Sequence, residues 1–140
     1  MFKDNLISLR KMKKLSQEEL AYKIGVSRQT MSKWETGESL PDIGNCIALA
    51  DIFGVSLDDL VSYDKNSNMG LPIPPKGKHL FGIVKVGEKG QIVLPAKARK
   101  VFDISSGDRL VVLGDEITGI ALIKEKNIMS MLNEIRNMEN

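Results

Sequence analysis

Through residues 1–62, short apolar stripes alternate with polar faces at helical spacing. Leu6 and Leu9 mark the inward face of a first helix over about 3–12, and Leu15 follows in the turn. Ser16 and Glu19 have the S-x-x-E spacing of a capping box, which predicts a second helix from there to about Ile24. Leu20, Ala21 and Ile24 share one face of it. Gly25 can take the left-handed conformation that turns a chain sharply. Ser27 then caps a third helix reaching about Glu35 and stopped by Gly37. In that helix Met31 and Trp34 point one way, with Val26 just before it, and Arg28, Gln29, Ser32 and Lys33 point the other. Pro41-Asp42 opens a fourth helix ending at Phe53-Gly54. Ser56 with Asp59 opens a short fifth, whose Leu57, Leu60 and Val61 are expected to face the core.

After Ser62 the pattern breaks. The stretch SYDKNSNMGLPIPPKGK is polar, then rich in Pro and Gly, and it reads as a partly extended linker over 64–79. Stretched, such a linker spans roughly 50 Å, more than one DNA turn of about 34 Å. Beyond it the periodicity shortens. Runs suited to β-structure fall at 82–86, 91–94, 109–113 and 120–123, with Gly87-Glu88-Lys89-Gly90 as a hairpin loop. Pro95 starts a short helix through about Val101, and Ser106-Gly107-Asp108 and Gly114-Asp115-Glu116 supply the later turns. This β-rich module, about 45 residues long, is near the size below which one chain buries too little surface to fold alone. With no disulfide or metal to staple it, a second copy is the remaining remedy, as a homodimer or a higher homo-oligomer.

Composition narrows the class. Charged residues at 27% and apolar ones at 42% describe a soluble globular chain. It has no apolar run of membrane-spanning length and no signal-peptide core, so no membrane partner is expected. The single cysteine, Cys46, excludes an internal disulfide framework and points to the cytoplasm; it lies with Leu49, Ala50 and Phe53 on the apolar stripe of the fourth helix. His79 is the only histidine, which leaves neither a metal cluster nor a catalytic triad to assemble around it. No cofactor is expected. The formal net charge of +2 is too small to announce nucleic acid, and residues 1–63 sum to −1. Phosphate attraction would have to come from local clusters, of which Arg10-Lys11-Met12-Lys13-Lys14 is the densest.

The outward face of the third helix carries the side chains that read base edges. Arg and Lys pair with guanine, Gln with adenine, and Ser with several partners. Alone, such a face is equally a solvated surface, because two helices joined by a tight turn also pack without nucleic acid. The surrounding residues favour DNA. From about Leu6 to Leu60, the LSQEELA opening, the Gly25 turn, SRQTMSKWETG, the PD pair and LADIFGVSLDDL together resemble the phage-repressor and Cro type of helix-turn-helix, or XRE family. The resemblance implies an all-α, five-helix domain over 1–63 whose third helix enters the major groove of double-stranded DNA and which binds as a dimer. Carried across by position, it makes Arg28, Gln29 and Lys33 base readers, with Thr30 and Ser32 secondary. Gln17 and Ser27 become phosphate contacts at helix N-termini. Arg10 and Glu35 match a structural ion pair of that family.

A second resemblance covers about Phe81 to Lys124. GIVKVGEKGQIVLPAKARKVFDISSGDRLVVL is similar to the AbrB/MazE/SpoVT swapped-hairpin family through V-x-x-x-G-Q-I-V-L-P, a short basic helix and a Gly-Asp turn before a strand. It implies that two copies of 80–140 interleave hairpins into one small barrel, in many members a DNA-binding surface. The family's basic helix residues match Arg99 and Lys100, with Lys97 nearby. The chain departs from the pattern at Gln91, where several DNA-binding members have Arg, and at Val84 and Lys85, where an arginine of the first strand is missing.

From Asn127 onward, Ile128, Met131, Leu132, Ile135 and Met138 recur at helical spacing, a stripe suited to packing within its own dimer or to docking a partner protein. The whole predicts a homodimeric, sequence-specific transcription regulator acting on a palindromic or pseudo-palindromic operator. Its rival is an antitoxin-like autorepressor whose C-terminal helix binds another protein. An enzyme is not expected: no nucleophile set, phosphate-cradling loop or metal spacing is present, and Asp58-Asp59 and Asp115-Glu116 read as a helix start and a turn.

Overall fold

The computed structural model describes residues 1–139 and divides into two compact units, Met1–Gly82 and the chain from Ile83 onward. In the first unit, α1 (Phe2–Met12), α2 (Gln17–Ile24), α3 (Arg28–Thr36), α4 (Ile43–Phe53) and α5 (Leu57–Ser62) follow one another with tight turns. Local chemistry sets the ends. The Ser16 hydroxyl accepts from Glu19 N–H at 3.0 Å while the Glu19 carboxylate accepts from Ser16 N–H at 3.1 Å, so two orphan donors are satisfied at once. That pair holds the Glu19 carboxyl below its ordinary value, chiefly through the Ser16 N–H. Ser27, Asp42 and Ser56 cap α3, α4 and α5 by the side-chain half of this arrangement, accepting from Thr30, Asn45 and Asp59 N–H. Gly25 closes α2 at φ 74°, and its N–H reaches back to Ala21 and Tyr22 carbonyls.

The core is built from one stripe of each helix. Leu6, Leu20, Met31, Leu49 and Leu60 are fully buried, and Leu9, Ala21, Trp34, Ala50, Phe53 and Val55 complete the cluster. Two polar groups enter it with partners. Glu35 meets Arg10, and the Asn5 amide donates to the Leu60 and Tyr63 carbonyls at 3.1 and 2.9 Å. The fifth helix departs from expectation. Only Leu60 is buried, while Leu57 and Val61 stand 39% and 46% exposed, since a six-residue helix lying on the core surface turns one face to it. Cys46 is half-buried, and burial pushes its thiol above the usual value.

The stretch expected as a linker does more than connect. A short 3-10 turn at Asn66–Asn68 follows α5, Tyr63 and Ile73 join the core cluster, and Lys76 N–H bonds the Gly54 carbonyl at 2.8 Å. Pro and Gly shape a chain without forbidding it an anchor, and one buried Ile supplies it. Further on, the rings of His79 and Phe81 stack with centroids 5.3 Å apart.

The second unit holds α6 (Ala96–Val101), strands β1 (Leu110–Asp115) and β2 (Gly119–Lys124), and α7 (Glu125–Glu139). β1 and β2 form an antiparallel hairpin pairing Leu110 with Lys124 and Asp115 with Gly119. Its turn is residues 116–118, not Gly114-Asp115-Glu116: Gly114 and Asp115 lie in the strand, and Gly119 takes the positive φ of 114°. The Asp115 carboxylate accepts from the N–H groups of Ile117 and Thr118, which fixes the turn two residues later than its Gly-Asp pair suggests. Residues 87–90 do form the expected loop, with Gly87 N–H donating to the Gln91 carbonyl at 2.8 Å. The flanking runs 82–86 and 91–94 lie outside any ladder among the described residues. Ile83 and Val93 stand 73% and 77% exposed, while Leu94 is half-buried beside Leu122 and Ile123. Pro95 sits at the N-cap of α6, one position before its first helical residue.

Candidate nucleic-acid interface

The interface candidate is the outer face of α3. Trp34 and Met31 are buried against the core, which forces the opposite side of the nine-residue helix outward. Arg28, Gln29 and Lys33 are exposed there, and Ser32 and Thr30 are half-buried at its margins. In the Gly25 turn between α2 and α3, Val26 N–H bonds the Ala21 carbonyl at 3.0 Å.

Gln17, at the first position of α2, comes to the same surface. Gln17, Arg28, Gln29 and Ser32 line one shallow groove, and Gln17 and Arg28 share its continuation with Arg10, Ser16 and Glu18. Six sequence-predicted residues therefore meet in pairs or groups: Gln17 with Arg28, Gln29 and Ser32 in the groove, and Ser27 with Thr30 at the cap. The Ser27 hydroxyl accepts from Thr30 N–H at 3.1 Å and lies 2.9 Å from the Thr30 hydroxyl. Both hydroxyls thus serve the helix start. Lys33 stands apart from the groove, one turn beyond Gln29 on the same helix. Its carbonyl accepts from Gly37, Glu38 and Ser39 N–H groups and from the Thr36 hydroxyl, so the end of α3 is tied down beneath an exposed ammonium head.

Sequence reasoning found only part of what orients this face. Arg10 reaches from α1 to Glu35 with Nε–Oε2 2.8 Å and Nη2–Oε1 2.9 Å, and its Nη1 donates to the Leu15 carbonyl at 2.9 Å. One guanidinium therefore ties α1, the turn before α2, and α3. The pair was legible from the sequence; the third contact was not, because a backbone carbonyl leaves no mark on residue type.

In the second unit Lys97, Arg99 and Lys100 are all exposed on α6, with Ala98 buried between them. Gln91, where the resemblance led to an expectation of arginine, folds back: its Oε1 accepts from Lys89 N–H at 3.0 Å, and its amide fills the space where a Cβ on Gly87 would go. That glutamine shapes the hairpin turn. Among the described residues no three His, Cys, Asp or Glu side chains gather as metal ligands, and no helix is long and apolar enough to cross a membrane.

Comparison with known proteins follows the same division. Residues 6–60 match the family described as helix-turn-helix, and residues 83–128 match that described as antidote-toxin recognition MazE, bacterial antitoxin. An HTH-type transcriptional regulator of Methanocaldococcus jannaschii is 39% identical over 62 residues, 44% of this chain and 94% of that one. The HTH-type transcriptional regulator YqaE of Bacillus subtilis is 38% identical over 69 residues, 49% of this chain and 60% of its own. The transcriptional activator BcrR of Enterococcus faecalis is 39% identical over 61 residues, 44% of this chain but 30% of its own length. The chain thus spans less than two thirds of these last two relatives.

Proposed function

We propose, from the premise that this chain belongs to the helix-turn-helix family, that it is a cytoplasmic, sequence-specific DNA-binding transcription regulator acting as a homodimer on a palindromic or pseudo-palindromic operator. The observation that carries it is the face of α3. Arg28, Gln29 and Lys33 project outward from a helix whose back is sealed by Met31 and Trp34, and Gln17 stands beside them. Arg28 and Gln29 have the donors and acceptors to read guanine and adenine edges. Lys33 adds charge one turn on, and the N-terminal turns at Gln17 and Ser27 offer N–H groups to phosphates. Thr30 and Ser32 are secondary contacts.

Pairing falls to the second unit. Ile83, Val86, Val93, Val112 and Ile120 are all more than half exposed, an apolar surface that one copy leaves uncovered. Two copies interleaving the 83–94 hairpins would give those strands a sheet to join, as in the swapped-hairpin family. Lys97, Arg99 and Lys100 would then form a second patch beside the DNA. Selection of bound sequences from random DNA by the full chain tests the reading. Recovery of two inverted half-sites, with binding that weakens steeply as salt rises, is the expected result. Recovery of no preferred sequence would overturn it.

One observation supports a second reading. Residues 83–128 match an antitoxin family, and Met131, Leu132 and Ile135 lie exposed along α7. In that reading α7 docks a partner protein while the first unit represses. A companion protein that copurifies with the full chain and is lost on truncation after Lys126 would favour it.

A further inference from the structure

We infer that residues 63–76 form a strap that belongs to the DNA-reading unit and sets the half-site spacing a dimer of this chain accepts; the inference rests on the first unit reading DNA and the second pairing two copies. Four contacts define the strap. The Asn5 amide holds the Tyr63 carbonyl at 2.9 Å, which fixes the exit of α5 against α1. The Tyr63 hydroxyl donates to the Leu71 carbonyl at 2.9 Å, with the Pro72 carbonyl at 3.2 Å, so both ends of the intervening loop are pinned to one residue. Ile73 is 9% exposed and lies in the same core cluster as Leu6 and Trp34. Lys76 N–H then bonds the Gly54 carbonyl at the end of α4, 2.8 Å away. Within the loop the Asp64 carboxylate accepts from the Ser67 hydroxyl and Asn66 N–H. These are the marks of folded chain, not of a tether.

The consequence is one of reach. From Ser62 to Ile83 an unanchored chain would extend about 70 Å, whereas from Lys76 to Ile83 it extends about 25 Å at most. Adding half a turn of DNA between two half-sites moves the second by about 17 Å and carries it to the far side of the duplex. A reading unit on the longer chain follows that movement. One held at Lys76 has little reach left once that shift of about 17 Å is combined with passage to the far side of the duplex, and the second half-site is weakened with the avidity it supplies. Tyr63 and Ile73 are therefore positioning residues for operator spacing, although neither lies on the α3 face.

The test uses full-length protein and operators built from the selected half-sites with no insertion, half a turn or a full turn between them. Wild type is compared with Tyr63→Phe/Ile73→Ser and with a variant carrying about ten Gly and Ser residues after Lys76. This last variant leaves the strap and its core contacts intact, so it reports reach alone. Wild type should lose about tenfold or more in affinity on half-turn insertion, and the lengthened variant about threefold or less. Equal tolerance in wild type and lengthened variant would overturn the inference while leaving DNA reading in place, since each half-site is still bound. Failure to recover any preferred half-site would remove the DNA reading and the inference with it.

Discussion

Arg10 and Glu35 lie on different helices and meet as a two-pronged ion pair, with nitrogen–oxygen distances of 2.8 and 2.9 Å and side chains only 14% and 5% exposed. Removing one partner strands the other charge in a site it cannot leave. Arg10→Ala or Glu35→Ala should each cost about 3 kcal/mol of stability, read as a lowered urea midpoint. The double variant should cost less than the sum of the two, because the second deletion relieves the orphaned charge. Purely additive losses would show that the pair is not coupled.

The exposed face of α3 should behave in the opposite way. Arg28 and Gln29 carry no core contact, so Arg28→Ala and Gln29→Ala should leave the unfolding midpoint within about 0.5 kcal/mol of wild type. Each should cost roughly 1–3 kcal/mol of operator binding and blur selection at one base pair. Binding to a panel of single-base operator variants checks this. An unchanged preference would remove both from the readers of sequence.

Why the sequence spoke clearly at some positions and not others has a physical cause. Helix ends were legible because a cap is local chemistry: Ser16 with Glu19, or Ser27 before Arg28, act within a few residues of one another. The α3 face was legible because Met31 and Trp34 fix which side is buried. The strap was not, since Tyr63 and Ile73 reach the core through contacts distant in sequence, and the Pro-Gly composition around them resembles free chain. The β1–β2 turn was read two residues early, because pairing across the whole hairpin, from Leu110–Lys124 to Asp115–Gly119, outweighs the turn preference of Gly114-Asp115.

Gly25 offers a test of backbone geometry alone. It sits at φ 74°, and a Cβ built there would meet no neighbour within 4 Å, so any loss on Gly25→Ala comes from the left-handed conformation itself. The expected cost is about 1–2 kcal/mol, and Gly25→Asn should recover part of it, since Asn tolerates that region. Thermal unfolding of the three proteins checks the order Gly, Asn, Ala. An Ala variant as stable as wild type would mean that α2 and α3 can be joined by another turn.

Acid should loosen the second unit through two turns. The Asp108 carboxylate accepts from Ser105 N–H at 2.8 Å with Lys124 nearby, and Asp115 accepts from Ile117 N–H at 2.8 Å and from Thr118. Those N–H bonds, before any charge, hold both carboxyls below the ordinary aspartate value. A carboxyl whose folded pKa is depressed contributes stability that is complete above the unfolded value of about 3.9 and fades as pH falls through the folded one. The hairpin should therefore be insensitive to acid above about pH 5 and weaken progressively below pH 4. Carboxyl titration by NMR should place both groups below the ordinary aspartate value. Asp115→Ala should flatten the part of the acid-unfolding curve that this turn contributes, and an Asp115 titrating at the ordinary value would show that the two N–H bonds do not persist in solution.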